Sequence, residues 1–158
     1  MAATTRIPSR FRRLAAAFAL ALILMPDSSA QAVQTSSVAD TVVVVVSSDS
    51  PVTEITRLHL ADLYLGRTTR FPNGEPAEVI DQGTTSAPRA DFYERYLGRS
   101  PAEIKAHWSR LIFTGRGRPP RDVVSGEDMR RLVAENPGTI GYIERSLVDG
   151  SVHIVRVE

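Results

Sequence analysis

The sequence of 158 residues contains no cysteine. That one absence removes disulfides, thiolate catalysis, zinc–thiolate sites and a lipidated N-terminal cysteine together, so packing alone must hold the fold. Long apolar runs are also scarce. The one uninterrupted stretch, Leu14 to Met25, falls short of the roughly 20 residues that cross a bilayer core. Charge of one sign is missing too: the formal net charge is +1, and taking away residues 1–30 with their four arginines and one acid leaves −2. A nucleic-acid binder needs a broad positive field, so that class is excluded. His59, His107 and His153 stand on separate segments with no HExxH or other ligand spacing. They read as solvated or half-buried side chains, and neither a metal nor a cofactor is expected. No G-x-S-x-G elbow is present, because the serine of Gly83-Thr84-Thr85-Ser86-Ala87 is displaced from the nucleophile position. The carboxylates are scattered. No catalytic residue is assigned, and no enzymatic activity is expected.

Residues 1–32 are read as a secretory signal. Arg6, Arg10, Arg12 and Arg13 precede the apolar run, and Pro26 to Ser29 break it. Cleavage fits after Ala30 or after Ala32, the second preferred, and the chain is expected to be periplasmic or otherwise exported, not membrane-spanning once cleaved. Arg12-Arg13 also allows a twin-arginine reading. Residues 33–40 are small, polar and aperiodic, as in a linker, and residues 41–158 form the domain.

Within that domain, Val42 to Val46 is a continuous β-branched run, which predicts a central strand buried on both faces, as in a parallel sheet. Thr56 caps a helix whose apolar face carries Leu58, Ala61 and Leu65, with Leu60 and Tyr64 widening it and Gly66 ending it. Glu78 to Asp81 reads as a strand that runs through Gln82 to Ser86 into a helix bearing Phe92, Tyr93, Tyr96 and Leu97. Ser100-Pro101-Ala102-Glu103 is a capping box, followed by Ile104, Trp108, Leu111 and Ile112 at helical spacing. The glycines and prolines of Gly115 to Arg121 predict a loop. Ser125 and Asp128 start another capped helix, and Thr139 to Ile143 and Val152 to Val157 read as closing strands. Alternating strands and helices predict an α/β domain with helices on the faces of its sheet.

The loop Gly83, Thr84, Thr85, Ser86 is the candidate oxyanion site. Hydroxyls and backbone amides at the head of a helix suit phosphate or another small oxyanion, and the alternative is that Thr85 or Ser86 simply caps the helix. The three arginines of Gly115 to Arg121 suit either an anion clamp or a solvated loop. Phe92, Tyr93, Tyr96, Trp108 and Phe113 are read as core, with Tyr142 open to either role.

Several phrases then stand in a shared order: Leu60-Ala61-Asp62-Leu63-Tyr64-Leu65-Gly66-Arg67, Phe71-Pro72-Asn73-Gly74, Gly83 to Ser86, Trp108-Ser109-Arg110, Phe113-Thr114-Gly115-Arg116-Gly117 and Pro137-Gly138-Thr139-Ile140-Gly141-Tyr142. In that order the chain resembles the phosphate-binding proteins of ABC transporters, from about Thr41 to Val157. The resemblance implies a single periplasmic-binding-protein-like lobe with a central, mostly parallel sheet flanked by helices. It also implies a non-enzymatic role in phosphate transport beside a permease. The family's phosphate loop reads Ser-Gly-Thr, preceded by an arginine. Here Thr84-Thr85-Ser86 matches the loop, and Asp81 or a close neighbour stands where the arginine is expected. A carboxylate there opposes an anion by about 4 kcal/mol at about 4 Å and intermediate dielectric. The alternative is an envelope interaction or sensor module that kept the fold without the ligand.

Overall fold

The computed structural model describes residues 41–158, and the expected signal and linker (1–32 and 33–40) lie outside them. The domain opens with strand β1 (Val42–Ser47). Every residue of β1 is buried, because the strand lies between two neighbours with helices packed against it. Strand β2 (Glu54–Ile55), helix α1 (Arg57–Tyr64) and strand β3 (Glu78–Gln82) follow. Helix α2 (Ala87–Phe92) continues into a π-helical turn (Tyr93–Leu97) before α3 (Pro101–Phe113). The chain closes through β4 (Arg121–Val123), α4 (Gly126–Glu135), β5 (Thr139–Glu144), β6 (Val152–Ile154) and β7 (Arg156–Val157).

The main sheet has the order β4-β3-β5-β1-β6, and β2 pairs with β7 beside it. In the main sheet β3 pairs parallel with β4 and β5, and β6 points the same way, so four of its five strands share one direction; β2–β7 is parallel as well. The valine strand β1 is central, as its composition predicts, yet it runs antiparallel to both β5 and β6. Burial on two faces follows from what covers the sheet and says nothing about neighbour direction. The expected last strand is two: at Val155, whose amide donates to Val44, the chain leaves β1 and crosses to β2. Arg121, expected at the end of a loop, begins β4.

Helix caps form largely as their residues dictate. Ser100 and Glu103 make the full reciprocal box. At α4 only one half is made: Ser125 Oγ accepts from the Asp128 amide at 3.1 Å, and the aspartate carboxylate takes the serine hydroxyl instead. An aspartate is one methylene shorter than the glutamate this motif favours.

Two helical faces differ from expectation. On α1 the buried residues are Leu60, Leu63 and Tyr64, while Leu58 is 70% exposed. On α3, Phe113 is 94% exposed. At about 100° per residue, nine positions from Ile104 place it on the opposite side of the helix from that buried residue. Ile112, expected in the stripe, is 56% exposed at its edge.

Helix α4 lies so close over β5 that a Cβ on Gly141 would meet Met129 Sδ at 2.7 Å and Val133 Cγ2 at 3.0 Å. Gly141→Ala is therefore expected to lose about 1–3 kcal/mol by overpacking. Chemical denaturation checks this, and an unchanged midpoint would show that α4 can rise off the sheet without cost.

Candidate functional site at the ends of β3 and β4

The C-terminal ends of parallel strands are where open α/β sheets receive ligands, and here β3 and β4 end beside α3. A crevice of about 520 Å³ opens between them, lined among others by Asp81, Thr84, Arg89, Lys105, Trp108 and Asp122.

Its floor is built on aromatic rings. Phe92 stacks on Tyr142 with centroids 4.1 Å apart and planes within 6°, and Tyr64 tilts against Phe92 at 4.5 Å. Tyr93 meets Phe92 edge-on at 5.3 Å. The core reading of Phe92 and Tyr93 holds, and Tyr142, open in the sequence, joins them fully buried.

Above the rings sits Asp81, only 2% exposed. Its Oδ2 accepts from Arg89 Nε at 3.1 Å and from the Tyr93 hydroxyl at 2.7 Å. Its Oδ1 accepts from the Gln82 amide at 2.9 Å and from the Tyr142 hydroxyl. A buried carboxylate needs its lone pairs filled, and these four donors fill them. Burial first, and then the charge of Asp81, push the phenols of Tyr93, Tyr142 and Tyr64 well above their ordinary range. Burial pulls the Arg89 guanidinium down, but the charge and hydrogen bond of Asp81 together with the nearby Tyr93 and Tyr142 outweigh it and leave Arg89 raised. The sequence places a bare carboxylate in this position; folding neutralises it.

Arg89 is the residue that sequence reasoning missed. Its side chain is 9% exposed, held at Nε by Asp81, and its guanidinium carbon lies 4.8 Å from the Tyr93 ring centre. Its two terminal amino groups donate to no acceptor among the described residues. One end of a rigid fork is thus locked while the other end faces the crevice. A signal was present: counted from the Ser86 cap, Arg89 holds the third helical position, where a capping box places glutamate. A cation there opposes the helix dipole and calls for a carboxylate partner.

The expected oxyanion loop divides in two. The Gly83 amide donates to Val123 at 3.1 Å and the Ser86 amide to Gly83 at 2.9 Å. Ser86 Oγ donates to Gln82 Oε1 at 2.6 Å and accepts from the Arg89 amide, so Ser86 is the helix cap. Thr84 and Thr85 are exposed, and among the described residues their amides and hydroxyls bond nothing in the protein. Thr84 lines the crevice.

Lys105 and Asp122, both exposed, face the same space. Burial, and then the nearby Asp81 charge, raise the Asp122 carboxyl above its ordinary value. Arg116 and Arg118 remain exposed on the loop that ends at β4, and Arg121 is exposed at the first position of that strand. The histidines have structural partners: the Nε2 atoms of His59, His107 and His153 lie 2.8, 3.0 and 2.9 Å from the backbone oxygens of Arg70, Leu65 and Val52. Among the described residues, no group of three His, Asp or Glu is placed to hold a metal, and no helix is long and apolar enough to cross a membrane.

No protein-family model matches the sequence, and no curated protein matches it significantly. Solved structures do match. A phosphate ABC transporter substrate-binding protein of Clostridium perfringens, solved with phosphate bound, superposes with a TM-score of 0.59 at 24% identity, covering 76% of this chain and 46% of that one. An ABC-type phosphate transport receptor of Vibrio cholerae gives 0.59 at 23%, covering 75% and 46%. The PstS protein of Borrelia burgdorferi gives 0.57 at 17%, covering 75% and 47%. The likeness is one of fold, and this chain spans about half the length of those proteins.

Proposed function

We propose that this domain, which has the fold of about half of a phosphate ABC transporter substrate-binding protein, is an exported, non-enzymatic binding module that holds an oxyanion in the crevice at the ends of β3 and β4. The observation that carries the reading is the buried Arg89, fixed at Nε by Asp81 and free at its two amino groups. Such a fork suits two oxygens of one phosphate or carboxylate group. Thr84, which lines the crevice, supplies neutral donors from the loop Gly83 to Ser86, with Thr85 exposed beside it, while Gly83 and Ser86 hold that loop in shape. Lys105 adds positive charge and Asp122 opposes it, so the binding is weak and suited to ligand exchange with a partner such as a transporter permease. Export rests on the signal read in residues 1–32.

Calorimetric titration with inorganic phosphate tests this. The protein is expected to bind, and Arg89→Lys, which keeps the charge beside Asp81 but loses the fork, is expected to bind about tenfold to a hundredfold more weakly. Circular dichroism of the variant separates lost binding from lost folding. No heat from the parent protein at millimolar phosphate would remove the reading.

A second reading has one observation in its favour. Phe113 and Ile112 are exposed at the end of α3, beside the arginine-bearing loop, as expected of a module that docks on an envelope protein. That reading predicts indifference to phosphate and to Arg89→Lys.

A further inference from the structure

The crevice is far larger than an inorganic ion requires. Four water-sized oxygens take roughly 120 Å³ at about 30 Å³ each, a minor part of the 520 Å³ available. The remainder is largely apolar in area, carried by Pro101, Ala102, Trp108, Ile112 and Pro119, with Lys105, Ser109 and Asp122 as polar groups among them. Ile112 is 56% exposed on that wall, so it keeps apolar surface in water that a ligand would cover. Trp108 is held from behind: a Cβ on Gly66 would meet its Cη2 at 2.8 Å, so the indole presses directly on that backbone. The crevice therefore has a polar end, set by the Asp81–Arg89 pair and the Thr84 loop, and a fixed apolar flank along α3.

Its charges do not favour capture of a bare ion by net attraction. Arg89 and Lys105 are balanced by Asp81 and Asp122, so the affinity for an anion must come from directed hydrogen bonds to its head and apolar contact with its body. Pockets of this kind, mostly apolar with a few converging polar groups, are the ordinary form of small-molecule sites, at about 300–1,000 Å³.

We infer that the crevice takes an organic oxyanion, a phosphate- or carboxylate-headed molecule whose compact apolar body lies against Trp108 and Ile112 while its head engages Arg89. This rests on the reading of Arg89 as the anion anchor and adds the class of ligand.

Trp108 is the chain's one tryptophan, so its fluorescence reports on the apolar flank without interference. The intact protein would be titrated in parallel with inorganic phosphate, phenyl phosphate, benzoate and phenol, following both heat and Trp108 emission. Phenyl phosphate or benzoate is expected to bind at least tenfold tighter than inorganic phosphate, since burying a ring removes substantial apolar surface from water. It is also expected to change Trp108 emission, whereas phenol, lacking the head, binds poorly. Ile112→Ser, at an exposed position, is expected to shrink the preference for the organic anions severalfold and leave inorganic phosphate unchanged. If inorganic phosphate binds as tightly as the organic anions, the inference is overturned while the oxyanion reading stands. If none of the anions binds, or phenol binds as well as phenyl phosphate, the role of Arg89 fails and the inference falls with it.

Discussion

Above pH 10 the protein is expected to lose about 4 kcal/mol of stability per pH unit and to unfold in one step by roughly pH 11 to 12.5. The cause is the set of phenols beneath Asp81. Tyr64, Tyr93 and Tyr142 are each fully buried, and burial together with the Asp81 charge holds their pKa values well above the ordinary value. In the unfolded chain the same phenols titrate near pH 10. Below that pH both states keep three protons and stability does not depend on them. Above it the unfolded state releases three protons that the native state retains, and each contributes a slope of about 1.4 kcal/mol per pH unit against folding. Stability is thus fully present below the unfolded pKa and lost as pH rises toward the folded values. A domain worth 5–10 kcal/mol reaches zero one to two and a half units higher. Tyrosinate absorbance and far-ultraviolet circular dichroism, followed together, provide the check. They are expected to change in the same transition. Ionisation of the buried tyrosines near pH 10 with helix and sheet intact would mean that the ring cluster is open to water.

The same cluster marks where sequence reasoning stopped. Elements that depend on neighbours in the chain were legible. The Ser100 box, the proline after it and the spacing of Ile104 and Trp108 give α3 because each acts within a turn or two. The valine run gives a buried central strand for a similar reason, since no polar side chain interrupts it. The direction of β1 was not legible, because its neighbours β5 and β6 come from the far end of the chain. The two-residue strand β2 carries too little pattern to be seen at all, and it exists because Glu54 and Ile55 find Arg156 and Val157. For the site, the loop Gly83 to Ser86 was found from its residue types, and the division of labour inside it was not. Which amides are engaged depends on Val123, forty residues on. The charge at Asp81 was seen alone because its partner arrives eight residues later from another element.

That partnership carries the second large effect. Asp81→Asn is expected to cost about 3–5 kcal/mol, because it leaves Arg89 buried with an uncompensated charge. The amide is also the wrong shape for its surroundings: the four groups around Asp81 all donate, so the new NH2 must face at least one N–H or O–H. For a domain of this size the loss corresponds to a fall in Tm of roughly 10–20 °C. If the charge, and not merely the packing, is responsible, removing both partners should be gentler than removing one. Asp81→Asn combined with Arg89→Met is therefore expected to recover stability relative to the single variant, since the double change no longer buries a lone guanidinium. Asp81→Ala extends the argument to chemistry, because it vacates a chamber lined by a guanidinium, two phenols and an amide. Formate or acetate added to that variant is expected to raise its Tm in proportion to the logarithm of concentration once binding saturates, and to leave the parent unchanged. A single variant within 1 kcal/mol of the parent, or a double variant weaker than the single, would show that Asp81 does not hold Arg89 in place. The fork at the crevice would then owe its position to the Tyr93 ring alone.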